Sequence, residues 1–173
     1  MKKIIKRIGY LLIALVVIGY VLPSNSPIIP VEGAGPDSWD HQTFWFYPWG
    51  KSVVHKGIDI FAAKNTPIIA PDYGIIIWTD SVPRGGNTAY LLTSKWRIHY
   101  FAHMNRKFTQ PLAFLQQGDI IGLVGQTGNA QNRPPHLHYS ISTPFPHFWQ
   151  IDDDRQGWKK MFYLNPQEYL LEE

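Results

Sequence analysis

A strand-turn-strand pattern occupies residues 87–103, Asn87-Thr-Ala-Tyr-Leu-Leu-Thr-Ser-Lys-Trp-Arg-Ile-His-Tyr-Phe-Ala-His103. The runs 87–93 and 96–103 are rich in aliphatic and aromatic residues, and the turn-forming pair Ser94-Lys95 separates them. The pattern recurs in both directions along the chain, and we predict further strands at 57–61, 67–70, 74–79, 119–124 and 136–142. Short strands between turns predict an all-β fold, a compact antiparallel β-sheet or sandwich-like domain.

Signals for helix are sparse in a chain that contains 14 Gly and 14 Pro. The strongest signal after the first segment is Asn165-Pro166-Gln167-Glu168. Asn is a favourable N-cap, Pro suits the first helical position and Glu suits the third. We therefore predict a short C-terminal helical turn that packs Tyr169 and Leu170.

The N-terminal segment has the pattern of a membrane signal. The 15 residues Ile8–Leu22 carry no charge and follow a basic flank. We expect residues 1–22 to form a signal anchor or transmembrane helix, 23–36 a linker with four Pro and two Gly, and 37–173 the folded domain. Pro27 disfavours cleavage nearby, so we expect an uncleaved, single-pass anchor in the cytoplasmic membrane. The positive-inside rule then places the domain outside, in the periplasm or the extracellular space, and cleavage would make it secreted.

The net charge of +3 arises from the N-terminal flank. Four of the 16 basic residues lie within the first seven positions, which leaves 12 basic against 13 acidic residues (16 − 4 against 13) in the remainder. A body with that balance is a poor candidate for binding a phosphate backbone, and we expect no nucleic-acid partner. The chain has no Cys, which excludes disulfides, thiolate nucleophiles and Cys-ligated zinc.

The strings His55-Lys-Gly-Ile-Asp59 and His136-Leu-His138 carry potential metal ligands. Side chains alternate along a strand, so His136 and His138 should share one face while Leu137, Tyr139 and Ile141 point into the core. Asp59 lies between Ile58 and Ile60, and a buried carboxylate there needs a cation or several donors. Taken singly, each string also fits a solvated strand face or a turn.

A third string, Ile98-His99-Tyr100-Phe101-Ala102-His103, ends the second half of the opening pattern. Strict alternation predicts that His99, Phe101 and His103 share one face. A core histidine with satisfied hydrogen bonds is the commoner interpretation for either His taken alone, so spacing leaves the choice between them open. Six aromatic residues are candidates for a groove wall or for peripheral core packing: Trp39, Trp45, Trp49, Phe145, Phe148 and Trp149.

The order of these strings resembles the lysostaphin-type, LytM-like zinc endopeptidases, which are peptidoglycan hydrolases. The resemblance covers residues 50–143 and rests on motifs in a fixed order: His-x-x-x-Asp, Tyr-x-Ala-His, the glycine-rich run Gly118–Gly128 and His-Leu-His. It implies that three residues hold zinc and two act as the acid/base pair. The implied ligands are His55, Asp59 and His138, and the implied acid/base residues are His103 and His136.

Two departures from the family pattern concern the shape of the cleft. Members often carry an Arg shortly before the first His, where this chain has Tyr47-Pro-Trp-Gly-Lys51-Ser-Val-Val. Pro134-Pro135 replaces the small residues that are common before His-Leu-His.

The resemblance implies a zinc endopeptidase that hydrolyses peptide bonds of peptidoglycan, in a stem or a cross-bridge, outside the cytoplasmic membrane. One alternative is a non-catalytic LytM-like regulator that activates or tethers cell-wall amidases, since some relatives lose ligands. A second is a carrier-like or sugar-binding β-domain, which would leave the five-residue set unexplained.

Overall fold

The computed structural model describes residues 2–171, and β-strands dominate the part that follows the first helix. Helix α1 spans Lys2–Val21 and α2 spans Pro166–Leu171. The strands are β1 Ile58–Phe61, β2 Pro67–Ile69, β3 Gly74–Val82, β4 Gly86–Thr93, β5 Ile98–Met104, β6 Arg106–Lys107, β7 Phe114–Leu115, β8 Ile120–Leu123, β9 His136–Ser142 and β10 Tyr163–Leu164.

The strands form two sheets, and every strand pair in them is antiparallel. The larger sheet has the order β1-β9-β5-β4-β3-β7, and β10 also pairs with β9. The smaller sheet has the order β2-β8-β6. This architecture confirms the predicted all-β, antiparallel fold.

A single apolar core holds the two sheets together. Ile58 and Ile60 of β1 and Leu137 of β9 are fully buried on the large sheet, and Ile68 and Ile121 are fully buried on the small one. Burying one such side chain contributes about 1.5–3 kcal/mol. The alternation that buries one face of β1 and β9 leaves their other face available for polar side chains.

The predicted strands are all present, with altered boundaries. β3 continues to Val82, three residues beyond the predicted end at 79. β5 begins at Ile98 instead of 96, because Ser94–Trp96 forms a 3-10 turn in which Lys95 has a positive φ of 57°.

Helix α1 is long and apolar enough to cross a membrane, although signal sequences meet the same criteria. Its last turns contact the domain: the Trp96 indole N–H donates to the Val16 carbonyl at 3.0 Å, and Tyr20 packs on Phe145. In the segment predicted as a linker, Val31 is buried and bridges to Ile68 of β2. Part of residues 23–36 therefore packs on the domain, and the domain boundary at 36/37 stays a prediction.

The C-terminal helix has the predicted N-cap. The Gln167 backbone N–H donates to Asn165 Oδ1 at 3.2 Å, and Asn165 Nδ2 donates to Glu168 Oε1 at 2.9 Å. Tyr169 and Leu170 are buried against the core, as the sequence predicts.

Candidate active site

Two potential ligands face each other across neighbouring strands. The register of β1 and β9 pairs Asp59 with His138, and directly opposed side chains project from the same face of a sheet. Asp59 Oδ1 lies 2.8 Å from His138 Nδ1. Ile58, Ile60 and Leu137 point to the opposite face, into the core, so the core packing fixes which side of the sheet carries the polar pair.

His55 reaches this pair from the loop before β1. Its backbone is held to the preceding segment, because the Trp45 N–H donates to the His55 carbonyl at 2.7 Å and the His55 N–H donates to the Phe46 carbonyl at 3.0 Å. Its ring Nδ1 lies 3.0 Å from the Thr43 carbonyl, and the Trp49 ring stacks on it at 4.0 Å. The imidazole is thereby fixed between a carbonyl and an aromatic face.

The donor atoms of His55, Asp59 and His138 lie within 4.8 Å of one another. His55 Nε2 is 3.2 Å from Asp59 Oδ1 and 3.0 Å from His138 Nδ1. Nitrogen and oxygen ligands about 2.0–2.2 Å from a tetrahedral ion lie about 3.3 Å apart, close to these separations. The three residues can therefore hold a metal ion.

The hydrogen-bonding pattern also favours a cation. A neutral His55 that donates from Nδ1 to the Thr43 carbonyl has a lone pair at Nε2, which faces a carboxylate oxygen and a second imidazole nitrogen. Lone pairs facing one another at such distances repel unless a proton or a metal ion lies between them. Burial would raise the pKa of Asp59, but hydrogen bonds and charge from His138 and His55 outweigh it and hold that pKa well below its usual range.

His103 reaches the same face by an irregularity in β5 that alternation does not predict. Between Asn87 and Ala89 the β4–β5 register shifts: Asn87 pairs with Met104 and Ala89 with Phe101, so β5 carries an extra residue there. His103 has a positive φ of 63° at this bulge. The prediction that His99, Phe101 and His103 share one face is therefore wrong for His103, which the bulge turns out of the core towards the cluster of His55, Asp59 and His138.

His103 and His136 lie side by side next to that cluster, with ring centroids 5.0 Å apart. His103 Nδ1 is 2.9 Å from the Thr127 carbonyl, and His136 Nδ1 is 2.8 Å from the Pro134 carbonyl. In each case Nδ1–H donates to the carbonyl, and within residues 2–171 Nε2 has no hydrogen-bond partner. Burial and then the charge of His138 lower the pKa of His103 to about 4.

His99 has a different environment, although it precedes His103 by only four residues. It is fully buried, with Nδ1 2.7 Å from the Tyr139 hydroxyl and Nε2 3.0 Å from Thr93 Oγ1. Both ring nitrogens have partners inside the core. His99 is therefore a structural residue, and the structure places His103, not His99, beside the other four site residues.

The cluster opens into a cleft of about 730 Å³. Asp59, His103, His136 and His138 line it together with residues from three loops: Pro48, Trp49, Gly50, Lys51, Ser52, Pro83, Arg84, Asn129, Ala130 and Arg133. Of the six aromatic candidates, Trp49 lines this cleft. Trp39 and Trp45 are buried in the domain, Phe145 packs against Trp96, and the exposed Phe148 and Trp149 are not among the lining residues.

Sequence reasoning missed the carbonyl groups that orient three of the imidazoles. These carbonyls belong to Thr43, Thr127 and Pro134, and every residue type carries one, so side-chain identity gives no signal. Gly86 and Gly128 did offer a partial signal. Both have positive φ, and a Cβ on either would collide with the facing loop, so the two glycines allow the loops around Arg84 and Thr127 to meet beside His103.

Comparisons with known proteins agree with this architecture. Residues 53–149 match the profile of peptidase family M23. The L-Ala--D-Glu endopeptidase of Bacillus subtilis (strain 168) is 32% identical over 100 residues, which cover 54% of this chain and 31% of that protein. The peptidoglycan DD-endopeptidase ShyC of Vibrio cholerae is 32% identical over 92 residues, covering 53% and 21%. The chain thus spans less than a third of the length of either relative.

Solved structures share the fold. The catalytic domain of lysostaphin from Staphylococcus simulans superposes with a TM-score of 0.58 at 20% identity, over 86% of this chain and 91% of that one. A peptidase M23 structure from Pseudomonas aeruginosa gives a TM-score of 0.60 at 23% identity, over 96% and 61%. With the motifs in order, the antiparallel fold and a profile match over more than half of its length, this chain belongs to peptidase family M23.

Proposed function

We propose that this protein is a zinc-dependent endopeptidase that hydrolyses peptide bonds of peptidoglycan, in a stem peptide or a cross-bridge, outside the cytoplasmic membrane. The observation that carries the proposal is the convergence of three ligand atoms and two further histidines in one open cleft. The substrate class is supported by the similar proteins from B. subtilis and V. cholerae, whose names describe them as an L-Ala--D-Glu endopeptidase and a peptidoglycan DD-endopeptidase.

In this proposal His55, Asp59 and His138 hold the zinc. Two neutral imidazoles and one carboxylate match the three-ligand set of catalytic zinc sites, which leave a position open for water or substrate. When bound, zinc acts as a Lewis acid that polarises the scissile carbonyl and makes water acidic enough to ionise near neutral pH. The Thr43 carbonyl helps by fixing the His55 tautomer, so that Nε2 faces the other two ligands.

In this proposal His103 and His136 are the acid/base residues that accept and donate protons during hydrolysis. The Nδ1–H of each ring donates to a backbone carbonyl, which leaves Nε2 as the basic atom and stabilises the ring when it becomes charged. One ring accepts the proton of the attacking water. The other stabilises the oxyanion or protonates the leaving amine.

The alternative of a non-catalytic regulator is less favoured, because a regulator does not need all three proposed ligands together with both proposed acid/base histidines. All five residues lie together, and four of them line an accessible cleft.

We further propose that residues 1–22 anchor the protein in the cytoplasmic membrane and that residues 37–173 form the catalytic domain on the outer side. The length and apolar character of α1 support the anchor.

The proposal is tested with the full-length chain in detergent, assayed for metal content by mass spectrometry and for cleavage of defined wall peptides by liquid chromatography. We expect about one zinc per chain and chelator-sensitive hydrolysis. His138→Ala should lose both the zinc and the activity. His41→Ala is the matched control, because His41 is exposed and bonds to Gln167 away from the cleft. Stoichiometric zinc without cleavage of any wall peptide would refute the enzymatic proposal.

A further inference from the structure

The cleft continues past the metal ligands into a second depression of about 530 Å³. The two share Trp49, Lys51, Ser52, Arg84 and His138, so they form one trough that passes over the His138 side of the site. An extended peptide lying across the ligands would therefore contact both halves of this trough, which we call the substrate groove.

Positive charge is concentrated along the substrate groove. Lys51, Arg84 and Arg133 line its first half, and Lys56 and Lys159 join Lys51 and Arg84 in its second half. Five of the 12 basic residues that follow the N-terminal flank thus lie in this one trough. The described lining residues include one acid, Asp59, whose charge faces the candidate ligands His55 and His138.

Among residues 2–171, none of these five cations forms an ion pair with a carboxylate. Among the described residues, the Lys and Arg side chains form ion pairs with carboxylates at one place, where Lys160 contacts Asp152 and Asp154 outside the groove. Because the body as a whole has nearly balanced charge, an unpaired cationic trough is a local arrangement and not a consequence of composition. Exposed Arg side chains such as Arg84 and Arg133 suit planar, bidentate recognition of carboxylates.

We infer that the substrate groove selects peptides that carry free carboxylates on both sides of the scissile bond, over uncharged peptides such as glycine bridges or amidated stems. The inference rests on the proposed function, since it takes the groove to be the place where the cleaved peptide lies. Attraction between exposed charges is weak for one pair but adds over several, and it also raises the rate of encounter.

The test uses two wall peptides of the same sequence, one with free carboxylates and one with those groups amidated, and the full-length zinc-loaded protein. We expect kcat/KM to be about tenfold higher for the free-carboxylate peptide at low salt, mainly through KM. The preference should shrink as salt rises from about 0.05 M to about 0.5 M, because the Debye length then falls below the spacing of the charges.

The variant Arg84→Gln/Arg133→Gln removes two of the five groove cations and should lower this preference several-fold, with kcat/KM falling more for the free-carboxylate peptide than for the amidated one. Arg106→Gln is the matched control, since Arg106 is exposed, stacks on Phe108 and does not line the groove. Equal kcat/KM for the two peptides in the unmodified protein, or an unchanged preference in the double variant, would overturn the inference.

Binding separates a failure of this inference from a failure of the proposed function. The dissociation constants of both peptides are measured by calorimetry on the zinc-loaded His136→Ala variant, which binds without needing to cleave. We expect about tenfold tighter binding of the free-carboxylate peptide. Equal binding rejects the charge selection, whereas unequal binding without cleavage by the unmodified protein retains it and rejects the peptidase proposal.

Discussion

The two ends of strand β5 carry histidines in opposite circumstances. At one end His99 is fully buried, and both of its ring nitrogens have partners in the core, the Tyr139 hydroxyl and Thr93 Oγ1. At the other end His103 is also buried, but its Nδ1 alone is bound, to the Thr127 carbonyl. Its Nε2 has no hydrogen-bond partner in the described part of the chain, and the ring lines the cleft.

The difference shows that burial alone does not separate a structural histidine from a chemically available one. A ring with two satisfied nitrogens can neither accept a substrate proton nor bind a metal without losing core hydrogen bonds. A ring held by one nitrogen is oriented and still has a free lone pair. The regular part of β5 places His99 in the core, where both ring nitrogens are bound. The bulge on the same strand turns His103 to a position where one ring nitrogen is bound.

The largest effect on activity is expected for the histidines that line the cleft, His103 and its neighbour His136. His103→Gln and His136→Gln should each lower kcat by about 10²–10⁴-fold, because each removes a proposed acid/base group. Zinc content and melting temperature should stay close to those of the unmodified protein, since neither ring supplies a proposed ligand. Steady-state kinetics, metal analysis and thermal unfolding check this. Near-normal kcat in both variants would remove these residues from the mechanism.

His99→Ala should produce the opposite result, with lower stability and preserved chemistry. The substitution leaves a core cavity and removes the partner of the Tyr139 hydroxyl, so the free energy of unfolding should fall by about 3 kcal/mol. Activity per folded molecule at low temperature should change little. Denaturant unfolding and active-site titration measure the two quantities, and Tyr139→Phe, which removes the hydroxyl alone, serves as the milder comparison. A loss of kcat at full stability would contradict the structural assignment.

The pH dependence of stability should also report on His99. Burial lowers the pKa of His99 to about 3, so the unfolded chain takes up a proton near pH 6.5 while the folded chain does not. The stabilisation is complete above that pH and is lost as the pH falls towards 3, by about 1.4 kcal/mol per pH unit. Unfolding free energies at pH 7 and pH 5 should differ less in His99→Gln than in the unmodified protein. Identical differences in the two proteins would show that His99 does not titrate in this way.

A smaller loss of activity than that of His103→Gln is expected for a substitution of Thr127, whose side chain forms hydrogen bonds at the bulge. Thr127 Oγ1 accepts from the Asn87 N–H at 2.9 Å and donates to the Met104 carbonyl at 2.9 Å. Thr127→Val removes both bonds with little change of volume, so the unfolding free energy should fall by about 1–2 kcal/mol. A small shift of His103 should then lower kcat by about tenfold with zinc retained.

Thr66→Val is the matched control for Thr127→Val, because the Thr66 hydroxyl is exposed and donates locally to the Ala63 carbonyl at 2.8 Å. It should leave kcat unchanged. If Thr127→Val loses stability without losing kcat, the bulge does not position His103 for the reaction.

Much of the fold was predictable because it follows from local rules. The alternation of Leu137, Tyr139 and Ile141 with His136 and His138 predicted which face of β9 is buried, and the structure confirms it. The helix N-cap at Asn165 was predicted for the same reason, since its partners lie within three residues. Hydrophobic periodicity and capping depend on near neighbours, which a sequence displays directly.

The orientation of the site depends on contacts between distant segments, and these were not predictable from residue spacing. The Thr43 carbonyl meets His55 from 12 residues away, and the Thr127 carbonyl meets His103 from 24 residues away. The choice of His103 over His99 was available only from the resemblance to a family. Residue spacing alone predicted that His99 and His103 share one face of the strand. A bulge changes which face the following side chain occupies, and no distinctive residue type marks the bulge in the sequence.

The sequence by itself determined the chemical types in the site, the strands that carry them and the apolar face that buries each strand. Those properties depend on the identity of single residues and on the spacing of apolar and polar residues among near neighbours in the chain. The tertiary structure alone decided which histidine leaves the core, which ring nitrogen a loop carbonyl binds and where cations gather along the cleft. These depend on loop carbonyls, on a register shift between β4 and β5 and on loops that meet across glycines, all of which require the folded chain to bring distant atoms together.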